Sequence, residues 1–167
     1  VGDLASRFRF KLLVALNLPV GRIVAHLVVL FERYGPPLVL KRDNGSNLVH
    51  PAVDELCDAY GVLLLTSPAY YPRYNGAIEY AQREIKAAVA ILTVAGRSLS
   101  AALVTAPALL NVQPRPCLGG HTASEVFHQT RQVLQVRFTI ERRKEIKRWI
   151  QAQAQSIEDH MSRGGRH

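Results

Sequence analysis

The chain has 167 residues, 48% hydrophobic and 20% charged, with a formal charge of +8. That length and composition suit one globular domain with a sizeable core. The charge points to a polyanionic partner, most simply nucleic acid, or else to a basic protein with no such role. Cys57 and Cys117 stand far apart and outside any C-x-x-C pattern. They give no zinc site and no disulfide framework, and read as buried thiols of a reducing compartment. No signal peptide is evident, and no apolar run reaches the ~18 residues of a membrane helix. A soluble, intracellular protein is expected.

Taken in order, the chain opens abruptly at Val1-Gly2-Asp3. Phe8 to Leu16 alternates and then runs apolar, which predicts a strand buried towards its end. Asn17-Leu18-Pro19 starts a helix over 20–34, with Ile23, Val24, Leu27, Leu30 and Phe31 at helical spacing. Gly35 and Pro36-Pro37 end it. Leu38 to Leu40 is a short strand whose end carries Asp43. Pro51 to Tyr60 is a helix with Val53, Leu56 and Cys57 inward, and Val62 to Leu65 a second buried strand. Residues 67–76 form a loop rich in Pro, Tyr and Gly. Helices follow over 77–94 and 100–110, then a Pro- and Gly-rich loop over 113–120. Thr122 caps a short helix through Phe127, 133–140 is expected to be extended, and 141–161 is one charged helix. A frayed tail ends the chain. The alternation of strands and helices argues an α/β sheet with crossover helices, where function gathers at the carboxyl ends of the strands.

Asp43 sits at such an end, and 35 residues separate it from Glu79. Singly each is ordinary: Asp-Asn-Gly is a turn signal, and Glu suits the first turn of a helix. On the helix, however, Gln82, Arg83 and Lys86 share the side of Glu79, while Ile78, Ala81, Ile85, Ala88, Val89 and Leu92 form a stripe about 120° away. Arg83 and Lys86 lie about 6 and 10 Å from Glu79 along the axis. That is a carboxylate beside a phosphate-binding track, or an ordinary solvated face with a Glu79–Arg83 pair. Were Asp43 and Glu79 brought within ~4 Å, their repulsion of about 4 kcal/mol at an effective dielectric of 20 would call for a cation. Mg²⁺ fits, taking carboxylates, water and phosphate oxygens together.

Phe31-Glu32-Arg33-Tyr34-Gly35-Pro36-Pro37, Asp43-Asn44-Gly45-Ser46, the run from Ser67-Pro68 through Tyr70-Tyr71-Pro72 and Tyr74-Asn75-Gly76 to Glu79, and Lys86 together resemble the integrase catalytic core. This is the ribonuclease-H-like fold of retroviral-type integrases and bacterial insertion-sequence transposases. Leu110-Asn111 and His121-Thr122-Ala123-Ser124-Glu125 also fit, so the resemblance covers about residues 3–127. It implies a mixed α/β sheet flanked by helices and an Asp, Asp, Glu metal triad using Mg²⁺ or Mn²⁺. Asp43 would be the second aspartate and Glu79 the glutamate. Lys86, Arg83, Gln82, Tyr71, Arg73, Tyr74 and Asn75 would contact DNA, the tyrosines by stacking or hydrogen bonding unless they only pack the loop. The implied activity is DNA integration or transposition, by strand cleavage and strand transfer at 3′ ends. Its partners would be the ends of a mobile element and a target, within a homo-oligomer and away from membranes. A bacterial cytoplasmic, nucleoid-associated location follows from the same likeness.

Asp3-Leu4-Ala5-Ser6-Arg7 matches a turn of that family downstream of its first strand, so Asp3 is not expected to bind metal. The first strand and first aspartate are then missing, giving a core over 1–128 incomplete at its N-terminus and a mostly helical extension over 129–167. The alternative function is an inactive remnant that still binds nucleic acid. In the extension, Arg142, Arg143, Lys144, Lys147 and Arg148 could hold DNA. The stripe Ile146, Ile150, Ile157 and Met161 would pack on a partner subunit or on its own domain.

Overall fold

The computed structural model describes residues 1–67 and 76–164, and the side chains of these except 134–137 and 156–164. Its helices are α1 (Val20–Tyr34), α2 (Pro51–Ala59), α3 (Gly76–Val94), α4 (Leu99–Asn111), α5 (Ala123–Arg137) and α6 (Ile140–Gly164), with strands β1 (Val39–Arg42) and β2 (Leu63–Thr66) and a 3-10 turn at Pro116–Leu118. The strands pair in parallel, Val39 opposite Leu63 and Arg42 opposite Thr66. Their carboxyl ends therefore lie side by side.

Local chemistry explains the boundaries. His50 caps α2 by accepting the Ala52 N–H on Nδ1, and Pro51 follows at a position that needs no N–H. At its other end the Gly61 and Val62 amides bond back to the Asp58 and Cys57 carbonyls, with Gly61 at φ 66°. This left-handed cap turns the chain directly into β2. The Gly96 and Arg97 amides close α3 in the same way, and Ser98 then caps α4.

Burial follows the predicted faces. Ile23, Leu27 and Phe31 of α1 meet Val53 and Cys57 of α2 and Val62 in one core. Val53, Cys57 and Val62 are almost wholly buried, each valine contributing about 1.5–3 kcal/mol. A second cluster is aromatic. Phe8 stacks on Phe127 at 4.4 Å between ring centres, and Phe10 and Tyr34 pack around them. A third joins Leu92 of α3 to Ala102 and Ala106 of α4.

Polar side chains tie the α3–α4 pair to the N-terminal segment. Asn111 accepts the Arg9 N–H at 2.7 Å and donates to the Arg9 carbonyl at 2.8 Å, as a neighbouring strand would. Glu84 of α3 receives both Arg9 and Arg115, each at 2.8 Å. Both guanidinium groups are nearly buried, and their Nε atoms have no hydrogen-bond partner among the described residues.

Several expectations are corrected. Phe8–Leu16 is not a strand: beyond an isolated antiparallel bridge between Gly2 and Arg9, it joins no ladder among the described residues. Backbone bonds join it to the first residues of the chain, Asp3 N–H to the Phe8 carbonyl and Phe10 N–H to the Val1 carbonyl, and the segment is otherwise held by side chains, Phe8 and Phe10 in the aromatic cluster and Leu13 on the main core. The helix begun at Thr122 does not stop at Phe127 but runs to Arg137, so 133–137 is helical rather than extended. Thr122 and Glu125 exchange backbone-to-side-chain bonds in a capping box that starts it firmly, and among the described residues no strand pairs with it to favour the valines' extended form. Residues 162–164 continue α6. Cys57 is buried but Cys117 is exposed, because the 3-10 turn carries it outward.

α6 packs against the domain rather than standing free. Arg143 is buried and donates to the Phe138 carbonyl, and Lys147 bonds the Val62 carbonyl and pairs with Asp58. A Cβ at Gly61 would come 2.9 Å from the Arg143 Cβ. Gly61→Ala is therefore expected to cost about 2 kcal/mol or more in urea denaturation and to open α6 to proteolysis before the main core.

Glu84 supplies a second test. Burial raises its pKa, but hydrogen bonds from Arg115 and Arg9 outweigh this and hold it below the ordinary 4.5. A depressed folded-state value means stabilisation that is complete above pH 4.5 and fades as pH falls through that lower value. Glu84→Gln should lose about 3 kcal/mol at neutral pH, since it strands two buried cations. Thermal melts of the variant should also show a weaker acid dependence below pH 4.5.

Candidate functional site

The carboxyl ends of β1 and β2 create the first half of the site. Asp43 follows β1, exposed to solvent, and its Oδ1 accepts the Gly45 N–H at 2.9 Å. The Asp-Asn-Gly sequence thus forms the turn its composition suggests, which still leaves Oδ2 available. Neutral donors hold the backbone on either side of Asp43. Ser67, buried at the end of β2, donates its N–H and its hydroxyl to the Arg42 carbonyl at 2.9 and 3.0 Å. The Asn44 side-chain amide donates to the Ser67 carbonyl at 3.0 Å. Arg42 itself spans to Thr66, to the Leu48 carbonyl and to Asp54.

α3 creates the second half. Glu79 lies in its first turn, and Glu79, Gln82, Arg83 and Lys86 line one open depression of about 440 Å³. The predicted apolar stripe is the opposite, half-buried side, with Leu92 its most buried member. The helix therefore faces as its periodicity implies. Arg83 rests over the Tyr80 ring at 5.5 Å instead of pairing with Glu79. The ordinary i,i+4 ion pair is not formed, and the cation is held beside the depression. Lys86 also borders an apolar groove between α3 and α4 that includes Val89, Val94, Leu99 and Leu103.

Glu79, Gln82, Arg83 and Lys86 are thus brought together. Asp43 belongs to the strand end, and no described hydrogen bond joins it to them. Tyr71, Arg73, Tyr74 and Asn75 lie outside the described residues. Among the described residues no group of three or more His, Cys, Asp or Glu is placed to hold a metal. Asp43 and Glu79 fit a hard divalent cation in their chemistry, both being exposed carboxylates with oxygen to give, but as a partial set. Asp3 is engaged in its own turn, its Oδ2 accepting the Ser6 N–H at 2.7 Å and hydroxyl at 2.5 Å. It is the turn residue the sequence suggested.

Sequence reasoning missed two features. Glu84 borders the apolar stripe of α3, and a carboxylate there signals a buried partner. Ser67 ends an apolar strand just before a proline, where a small hydroxyl has a backbone carbonyl within reach.

No family model matches the chain. It is 32% identical over 101 residues to the Gag-Pol polyprotein of bovine immunodeficiency virus, covering 60% of this chain and 7% of that polyprotein. An uncharacterized protein of Caenorhabditis elegans is 38% identical over 50 residues, 30% of this chain and 4% of its own length. The chain thus spans less than a tenth of either relative. These sources are viral and animal, so they lend no support to a bacterial location. Among solved structures, the catalytic core domain of bovine immunodeficiency virus integrase superposes with a TM-score of 0.60 at 27% identity, over 72% of this chain and 78% of that one. A chain of the simian T-cell lymphotropic virus intasome, in complex with a PP2A regulatory subunit, gives 0.60 at 17% identity over 68% and 42%, a likeness of fold alone. In fold and in sequence the chain is thus similar to a retroviral integrase catalytic core.

Proposed function

We propose that this chain serves DNA integration, with Asp43 and Glu79 as two carboxylate ligands of a divalent cation, Mg²⁺ or Mn²⁺. The observation that carries this reading is the α3 face. One carboxylate, one amide and two cations share a single open depression, in a chain with an integrase-core fold. When bound, the cation would supply Lewis-acid assistance to displacement at phosphorus.

The chain's own residues do the rest. Arg83 and Lys86 neutralise phosphate oxygens beside Glu79, Gln82 donates hydrogen bonds along the same track, and the overall positive charge draws DNA to it. Tyr71, Arg73, Tyr74 and Asn75, which lead into α3, add further DNA contacts. The reaction is strand cleavage followed by strand transfer at DNA 3′ ends, the substrates being the ends of a mobile element and its target. A homo-oligomer is the working form. Apolar side chains left exposed on α3 and α4, among them Ile91, Val94, Leu99 and Val104, support that expectation.

A second reading, DNA binding without cleavage, rests on Asp3. Its Oδ2 accepts both the Ser6 N–H and the Ser6 hydroxyl, a turn role that leaves Asp43 and Glu79 as the carboxylates assigned here to the cation.

Glu79→Gln in the longest reading frame containing this chain should reduce Mg²⁺- or Mn²⁺-dependent nicking and strand transfer of labelled DNA ends to background, while DNA binding holds or tightens. Binding with no metal-dependent cutting by the unaltered protein would establish the second reading instead. Arg83→Ala and Lys86→Ala should each weaken binding across all sequences. Each should also lower the slope of log K against log[salt] by about 1, measured by fluorescence anisotropy between 50 and 200 mM salt.

A further inference from the structure

The frame around Asp43 is built more heavily than a surface turn requires. The single bond from Gly45 to Asp43 Oδ1 is enough for such a turn. Here the residue before Asp43 and the residue after it are both bound to one residue of the neighbouring strand. The Arg42 carbonyl accepts two bonds from Ser67, and Asn44 reaches the Ser67 carbonyl. Ser67 is 4% exposed, so its bonds are shielded from water, whereas Asn44 is a surface residue. All three bonds come from uncharged donors. They fix the backbone on both sides of the carboxylate without drawing on its charge.

We infer that Asn44 and Ser67 are positioning residues for Asp43, a staple between the ends of β1 and β2 that sets the direction in which its carboxylate is presented to a divalent cation. The inference rests on the reading of Asp43 as a metal ligand. Neither residue touches the cation. Each acts by holding the peptide that carries Asp43, and so by reducing the reorganisation needed when the carboxylate binds. Ser67 directly follows β2, so the same bonds also fix the chain at the carboxyl end of that strand.

The test compares the unaltered protein with Asn44→Ala, Ser67→Ala and Ser67→Thr by NMR, using two measurements. The first is hydrogen exchange at the Gly45 amide, with the Leu27 and Val53 amides as a check on the core. Asn44→Ala and Ser67→Ala should speed exchange at Gly45 by about three- to tenfold and leave the core amides unchanged, while Ser67→Thr, which keeps the hydroxyl, should match the original. The second is titration with Mn²⁺, read as paramagnetic broadening of the Asp43 and Glu79 amides. The two alanine variants should need about three- to tenfold more Mn²⁺ for equal broadening, and Ser67→Thr should not. Unchanged exchange at Gly45 would remove the staple. Faster exchange with unchanged Mn²⁺ affinity would reduce it to a structural feature and overturn the inference. Absence of broadening at Asp43 and Glu79 in the unaltered protein would overturn the metal reading and the inference with it, and the exchange measurement would still report the staple on its own. Because Asn44 is exposed, its replacement leaves the core intact even if Ser67→Ala fails to fold.

Discussion

Glu84 is the point through which the fold becomes one object. Its carboxylate, mostly withdrawn from solvent, receives guanidinium groups from the N-terminal segment and from the loop after α4. α3 has an apolar partner in α4, and among the described residues Arg9 ties this pair to the N-terminal segment through Glu84 and Asn111, with Arg115 joining Glu84 to the loop after α4. Two buried cations against one carboxylate leave an excess positive charge, so the arrangement is costly to disturb. It also fixes the rotation of α3 about its axis. With Glu84 locked inward, Glu79, Gln82, Arg83 and Lys86 have only the open side left to occupy.

The two halves of the candidate site are therefore held by different kinds of bond. Asp43 is located by neutral hydrogen bonds between two short parallel strands, and Glu79 by a charged clamp about a turn and a half further along its helix. A division of this kind separates their sensitivities. Acid weakens the grip on the helix, whereas the three bonds that join Ser67 to Arg42 and Asn44 involve no carboxylate. The apolar cores lie behind both, so neither half depends on the other for its local shape.

Much of this was legible in the sequence. The bounds of α1 and the facing of α2 and α3 follow from apolar spacing, because burial of one stripe is a local decision repeated along a helix. Turn chemistry placed Asp43 at a strand end. What could not be read were outcomes decided by distant partners. Phe8–Leu16 has a strand's composition, but pairing depends on which backbone lies next to it, and in the structure only Arg9 finds a bridge. Val133–Arg137 has β-branched residues, but the capping box eleven residues upstream of Val133 had already committed the chain to helix. Glu84 looked like one more helical glutamate, since Arg9 and Arg115 are remote in sequence and meet it only in three dimensions. Residues 68–75, where several DNA contacts were expected, lie outside the described residues.

The attachment of α6 bears on how this unit can be joined to others. Arg143 and Lys147, which hold the helix to Gly61, Val62 and Asp58, belong to its first two turns and grip the amino end of β2. Asp43 is at the other end of that two-stranded sheet. Past Ile150 the side chains through Gln155 are exposed. Substitutions over 151–155 are therefore expected to leave the carboxyl ends of the strands undisturbed.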